Sequence, residues 1–260
     1  MSSVDLRVAQ RRGLFALAGR ETRRVLSLWT QTILPPALTA VLFLAVFGGA
    51  LGRRIETLEG LPYPTFILPG LLVMTVASQA FANASTSLFQ AKSEGYVDDL
   101  LSSPLHGWQI AVGYLAGSLV RSFAAAAIVA AVAAPFASVG YQPALALVAL
   151  FLTGLIFSAL GVITGMWAET FDQHSFIASI VITPLALVGG VFYSARTLDE
   201  PWSTLTRADP LYYLVDATRA GLTGFHESAV WISLIVAAVV AAATSAAAAG
   251  LLARGWRIKP

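Results

Sequence analysis

FILPGLLVMTVASQAFANASTSL, residues Phe66–Leu88, is a run of 23 residues without one charged side chain. A helix needs about 20 mostly apolar residues to cross the hydrocarbon core of a bilayer, where every backbone polar group must be satisfied inside the segment. This stretch meets that requirement, and the chain repeats it. Thr32–Leu51, Ile110–Val139, Ala144–Trp167, Phe176–Tyr193 and Val230–Leu252 also qualify, with polar or Pro/Gly-rich breaks between every pair. Composition agrees: 57% of the 260 residues are hydrophobic and 12% are charged. A water-soluble domain carries roughly 25% charged residues to wet its surface. The expected fold class is therefore all-α, a polytopic membrane protein with six transmembrane helices and no second domain.

Working outward, residues 1–31 hold Arg7, Arg11, Arg12, Arg20, Arg23 and Arg24. Leu14, Leu17, Ala18, Val25, Leu26 and Trp29 recur among them at helical spacing, which predicts a basic amphipathic helix in the membrane interface. The arginine-rich start runs directly into a full-length span, which predicts no cleaved leader. With six spans, residues 32–252, the tail 253–260 returns to the same side. That face then carries ten Lys/Arg, counting Lys92, Arg254, Arg257 and Lys259, against five on the other: Arg53, Arg54, Arg196, Arg207 and Arg219. The positive-inside rule places both termini in the cytoplasm of a bacterial cytoplasmic membrane. The formal charge of +2 fits topology and anionic lipid rather than nucleic acid.

Several kinds of chemistry are missing. There is no G-x-x-x-x-G-K-[ST] phosphate loop, no G-x-S-x-G elbow and no H-E-x-x-H. No cysteine is present, so disulfides and thiolate metal sites are excluded. His106, His174 and His226 are read as solvated loop residues, and no metal site is expected. Arg121 is the one ionisable residue within a span. Its segment exceeds the bilayer thickness, so Arg121 is expected in the inner half, snorkelling toward headgroups, with a substrate or gating contact as the alternative. Glycines one turn apart, Gly48 and Gly52, Gly113 and Gly117, Gly161 and Gly165, allow close helix approach in lipid.

Two loops carry the remaining pattern. Gln90–Gln109 contains Glu94, Gly95 and then Tyr96, Val97, Leu100 and Leu101 at i, i+1, i+4 and i+5. That spacing predicts a short amphipathic helix with Asp98 and Asp99 in its exposed first turn, ended by Pro104. An apolar stripe beside acids, displayed into the cytosol, suits a groove on a soluble partner. The opposite loop, Ser194–Glu227, holds Trp202, Asp209-Pro210 and Leu211-Tyr212-Tyr213, which predict an interfacial or re-entrant structure. Asp216 and Arg219, one turn apart, are expected to pair locally.

These residues resemble the ABC-2 type exporter permeases, in particular the branch with the daunorubicin-resistance and nodulation-factor export permeases. The family carries Gly-aromatic-x-x-x-Leu-Leu-x-x-Pro after its second span, matched by Gly95-Tyr96 and Leu100-Leu101-Ser102-Ser103-Pro104. Gly-Gly-x-Phe-Tyr at the end of span five is matched by Gly189, Gly190, Val191, Phe192 and Tyr193. Asn-Pro-x-x-Tyr-x-Val-Asp-x-x-Arg is matched by Asp209, Pro210, Tyr213, Val215, Asp216 and Arg219, with Asp in place of Asn. The resemblance implies a permease that exports an amphiphile: a drug, lipid, glycolipid or polysaccharide. It implies pairing with a second permease, as homodimer or related heterodimer, and docking of two separate ABC ATPase subunits that bind ATP and Mg2+. It also implies that the helix around Glu94–Pro104 couples the ATPase to the spans, and that this chain has no cofactor and no ATPase activity. A stand-alone secondary transporter or channel would be driven by intramembrane charge, which is scarce here. A membrane-embedded enzyme would need clustered catalytic groups at span depth.

Overall fold

The computed structural model describes residues 3–27, 29–43, 45–46, 57–137 and 140–257. The far part of the first expected span, with Gly48, Gly52, Arg53 and Arg54, lies outside the described residues, as do Val139 and the last three residues of the tail.

The apolar runs fold as long helices. α3 (Tyr63–Ser93), α5 (Gly107–Ala133), α6 (Pro143–Trp167) and α11 (Val230–Ala253) are each long and apolar enough to cross a membrane. α3 lies at the centre, against α5 and α6. Gly161 and Gly165 make the α3–α6 approach possible: a Cβ on Gly161 would lie 2.6 Å from the Phe81 carbonyl oxygen, and one on Gly165 would lie 2.8 Å from that of Ser85. The spacing read as a packing motif is one, between these two helices.

Before α3 come α1 (Ser3–Ser27), α2 (Trp29–Phe43) and a hairpin of β1 (Thr57–Leu58) with β2 (Leu61–Pro62). The hairpin is a small exception to the all-α expectation. Two-residue strands are too short for an alternating pattern, and their Glu59-Gly60 turn has both φ values positive. The N-terminal helix packs one side on the protein itself. Leu17, Glu21 and Val25 are buried along one side of α1, and Thr32, Pro36 and Ala40 along one side of α2. Successive turns of α1 meet successive turns of α5 in the same chain direction, Leu17 against Gly113 and Glu21 against Gly117. Thus Gly113 and Gly117 accommodate α1, and Leu17 and Val25 of the expected stripe face protein, whereas Leu26 and Trp29 stay exposed.

The fifth apolar segment starts earlier than expected and contains a π-helical stretch. α7 (Phe171–Ile177), a π-helical stretch (Ala178–Ile182) and α8 (Thr183–Val188) replace the expected Phe176–Tyr193. Gly189 and Gly190 end the helix, Gly190 at φ +71°. The polar residues before Phe176, read as loop, belong to the helix because His174 is buried between the rings of Phe89 and Phe171, with Nε2 2.8 Å from Ser85 Oγ. α4 (Val97–Ser102) joins α3 to α5, and α9 (Trp202–Ala208) and α10 (Pro210–Thr223) fill the loop before α11. α10 packs on α6, α11 and the first turns of α3.

Candidate functional site

The α4 corner begins where α3 ends. Glu94 N–H closes the last turn on Gln90 O, and Gly95, at φ +81°, reverses the chain in a conformation that only glycine adopts cheaply. Asp98 and Asp99 stand in the first turn of α4, where the helix dipole favours negative charge, and Pro104 follows its end. One expectation is corrected. Val97 is buried in a cluster with Ile110, Tyr114, Leu115 and Met166, and Leu100 packs partly against it. Val97 and Leu100 of the stripe therefore face this protein's own core. What α4 displays outward is Tyr96, 56% exposed, with Glu94, Asp98 and Asp99. The side chain of Leu101 lies outside the described residues.

The corner is wedged against other helices. A Cβ on Gly13 of α1 would lie 3.1 Å from Leu105 Cδ2, and Gln10 Nε2 is 3.1 Å from His106 Nε2. His106 caps α5 in a capping box with Gln109, and a Cβ on Gly107 would lie 2.4 Å from the Ala253 nitrogen of α11.

At the opposite end, the motif residues of the long loop converge. Asp209 caps α10: its Oδ1 accepts from Leu211 N–H at 2.8 Å, and Pro210 takes the first helical position. Its other carboxylate oxygen is buried without a partner among the described residues, and burial pushes its pKa up to about 6. Gly189 packs against Leu211, Tyr193 hydroxyl meets Thr206 Oγ1 at 3.1 Å, and Phe192 stacks on Phe43 of α2. Tyr213 is half-buried, edge-on to Tyr212.

Asp216 and Arg219 do not form the local pair expected of them. Asp216 Oδ1 accepts from the Glu227 N–H at 2.7 Å, and Oδ2 accepts from Ser228 N–H and Ser233 Oγ. It thereby fixes the start of α11 to α10. Arg219, 1% exposed, donates to Phe66 O at 3.3 Å and Gly190 O at 2.9 Å. It lies over the Phe66 ring and pairs with Glu227 at 3.5 Å. Burial pulls the guanidinium down to about 10, with Glu227 and Asp216 opposing the shift, so it stays charged at neutral pH. Glu227, which the sequence did not flag, also accepts from Ala195 N–H at 2.9 Å.

Arg121 does not extend to the helix end. Its Nε donates to Gln79 Oε1 on α3 at 2.9 Å. Gln79 opens a stripe of Gln79, Asn83, Ser87 and Gln90 along α3, a one-turn spacing that was legible in the sequence but hidden among small residues. Glu21, hidden among arginines, is 1% exposed and accepts from Ser87 Oγ at 2.6 Å. Among the described residues no cluster of potential metal ligands is present.

These features sit in a chain with clear relatives. The family model described as ABC-2 type transporter matches residues 12–223. Inner membrane transport permease YadH of Escherichia coli strain K12 is 34% identical over 82% of this chain and 84% of its own length. Nodulation protein J of Rhizobium leguminosarum bv. trifolii is 25% identical over 71% of each chain, and that of Rhizobium meliloti 23% identical over the same shares. With four helices able to cross a membrane and the family model matched over most of its length, the chain is a helical membrane protein that belongs to the ABC-2 type transporter family.

Proposed function

We propose that the chain is the transmembrane permease subunit of an ATP-driven exporter, a single domain of six spans in a bacterial cytoplasmic membrane. α2 and the α7–α8 segment are the two additional spans, and both termini and α4 face the cytoplasm. A second permease, identical or related, pairs with it. Two ABC ATPase subunits dock beneath and carry the ATP and Mg2+, so this chain hydrolyses no nucleotide. The cargo is an amphiphile.

The observation that supports this reading best is the α4 corner. A six-residue helix presents Tyr96, Asp98 and Asp99 outward while Val97 anchors it in the core. Its following turn is wedged against α1 and α11, with Gly107 nearly touching the Ala253 backbone. A displacement applied to α4 by a partner is thus passed to α1, α5 and α11 without slack, because packed interiors move as bodies.

The test is recovery of the ATPase subunit with tagged permease. Tyr96→Ala removes the exposed aromatic, and truncating an interface anchor costs about 2 kcal/mol or more, roughly thirtyfold in affinity. The double change Asp98→Lys with Asp99→Lys reverses the rim charge. Both are expected to reduce recovered ATPase and abolish transport while size-exclusion behaviour stays unchanged. Undiminished recovery in both would remove the coupling assignment.

A further inference from the structure

The polar stripe of α3 meets more positive charge than it neutralises. Arg24 of α1 donates to Asn83 Oδ1 at 3.1 Å and to Gln90 Oε1 at 3.4 Å. One turn along α3, Arg121 of α5 donates to Gln79. Asn83 in turn donates to Ser118 Oγ, three residues before Arg121, which draws both arginines to one place on α3. Arg20 is the third guanidinium of the junction. The acid there is Glu21, already engaged by Arg20 at 3.1 Å, Arg24 at 3.3 Å and Ser87 Oγ. Arg20 and Arg24 share this one carboxylate, and Arg121 pairs with no acid among the described residues.

The arginines also retain hydrogen-bonding capacity. Arg24 Nε is buried without a partner, and among the described residues the hydrogen bonding of Arg121 is confined to its Nε. Arg121 lies 14 residues into α5, roughly 20 Å from the helix start at 1.5 Å per residue. Positive charge at such depth is expensive unless an anion accompanies it.

An apolar space begins where the charge ends. Gln79, the residue bonded to Arg121, also lines a cavity of about 160 Å³ between α2, α3 and α5. Pro36, Thr39, Met74, Ser78 and Val129 form much of its wall, which is largely apolar. A cationic end joined to an apolar pocket fits a molecule with an anionic head and a hydrocarbon chain.

We propose that Arg24 and Arg121 bind the phosphate headgroup of a membrane-derived amphiphile whose chain enters the α2–α3–α5 cavity, and that phosphate-headed amphiphiles are the cargo class of the exporter. The cargo assignment rests on the permease reading given above; the binding site does not. A phosphate supplies the missing negative charge and enough acceptor oxygens for both guanidinium forks.

The binding test uses the purified full chain, without ATPase. Native mass spectrometry compares bound phosphatidic acid with phosphatidylcholine of the same acyl chains. One phosphatidic acid is expected to bind at least tenfold more tightly. Arg24→Gln and Arg121→Gln should each remove that preference, whereas Arg207→Gln at the opposite end should retain it. Met74→Trp fills the cavity without altering charge and should weaken phosphatidic acid binding, so the proposal remains testable if an arginine variant misfolds. Equal affinity for the two lipids, or full preference in both arginine variants, would overturn the site. Displacement by inorganic phosphate at the same concentration as the lipid would overturn the role of the chain. If the site holds while wild-type permease recovers no ATPase, the exporter reading fails and the binding site stands.

Discussion

A buried charge takes the partners that its surroundings place around it, and Asp216 and Arg219 illustrate this. Three residues apart on a helix, they would pair if their side chains were solvated and their neighbours were water. Both are buried, and each bonds sideways: Asp216 to three donors near α11, Arg219 to two carbonyls and Glu227. Removing one member of such a set strands the others, which costs about 3–5 kcal/mol. Arg219→Ala and Glu227→Gln are therefore expected to lower thermal stability of the purified chain sharply. Arg219→Lys should not restore it, because an ammonium cannot span Phe66 O, Gly190 O and Glu227 together. Asp209 behaves differently. Its pKa is raised to about 6 from 3.8, so the folded state holds its proton more tightly than the unfolded state does. The group then costs stability progressively as pH rises from about 4 through 6, and the full cost applies above that. Asp209→Asn keeps a good helix cap and restores the residue usual in the family motif. Its gain in melting temperature should be larger at pH 8 than at pH 4.5. An equal gain at both would refute the buried-carboxyl account.

At the scale of elements, the glycines separate close packing from mere membrane composition. Gly161 and Gly165 face backbone atoms of α3, which cannot move without moving the helix. Gly250 of α11, in contrast, has nothing within 4 Å of where a Cβ would stand. Gly161→Ala is expected to destabilise the α3–α6 pair, seen as a lower melting temperature. Gly250→Ala should be neutral or stabilising by up to about 1 kcal/mol, the helix-propensity gain over glycine. Similar losses for both would mean that the close approach is not what the glycine supplies. The same distinction explains α4. Its four apolar residues share a side by spacing, but only tertiary contact decides that Val97 turns into the core cluster and Tyr96 stays out.

For the whole molecule, orientation remains the first quantity to measure, and the cysteine-free sequence makes it direct. Cysteines placed at Ser102 in α4 and at Thr204 in α9 are expected to label from opposite sides of the membrane, Ser102 from the cytoplasm, as the count of ten Lys/Arg against five requires. External labelling at Ser102 would reverse the topology and with it the docking side. The sequence alone determined that this is a helical membrane protein, the order of its apolar segments, and the α4 helix with its acidic first turn. Each depends on composition or on residues within about two turns of one another, where spacing fixes geometry. It did not determine the π-helical stretch of the fifth segment, the buried sides of α1 and α2, the role of Glu21 and the α3 polar stripe, or the partners of Asp216 and Arg219. Those depend on contacts such as Phe66 with Arg219 and Glu21 with Ser87, between residues 153 and 66 positions apart, which no local period encodes. Only the packed structure brings such groups together, and burial then makes their pairing compulsory.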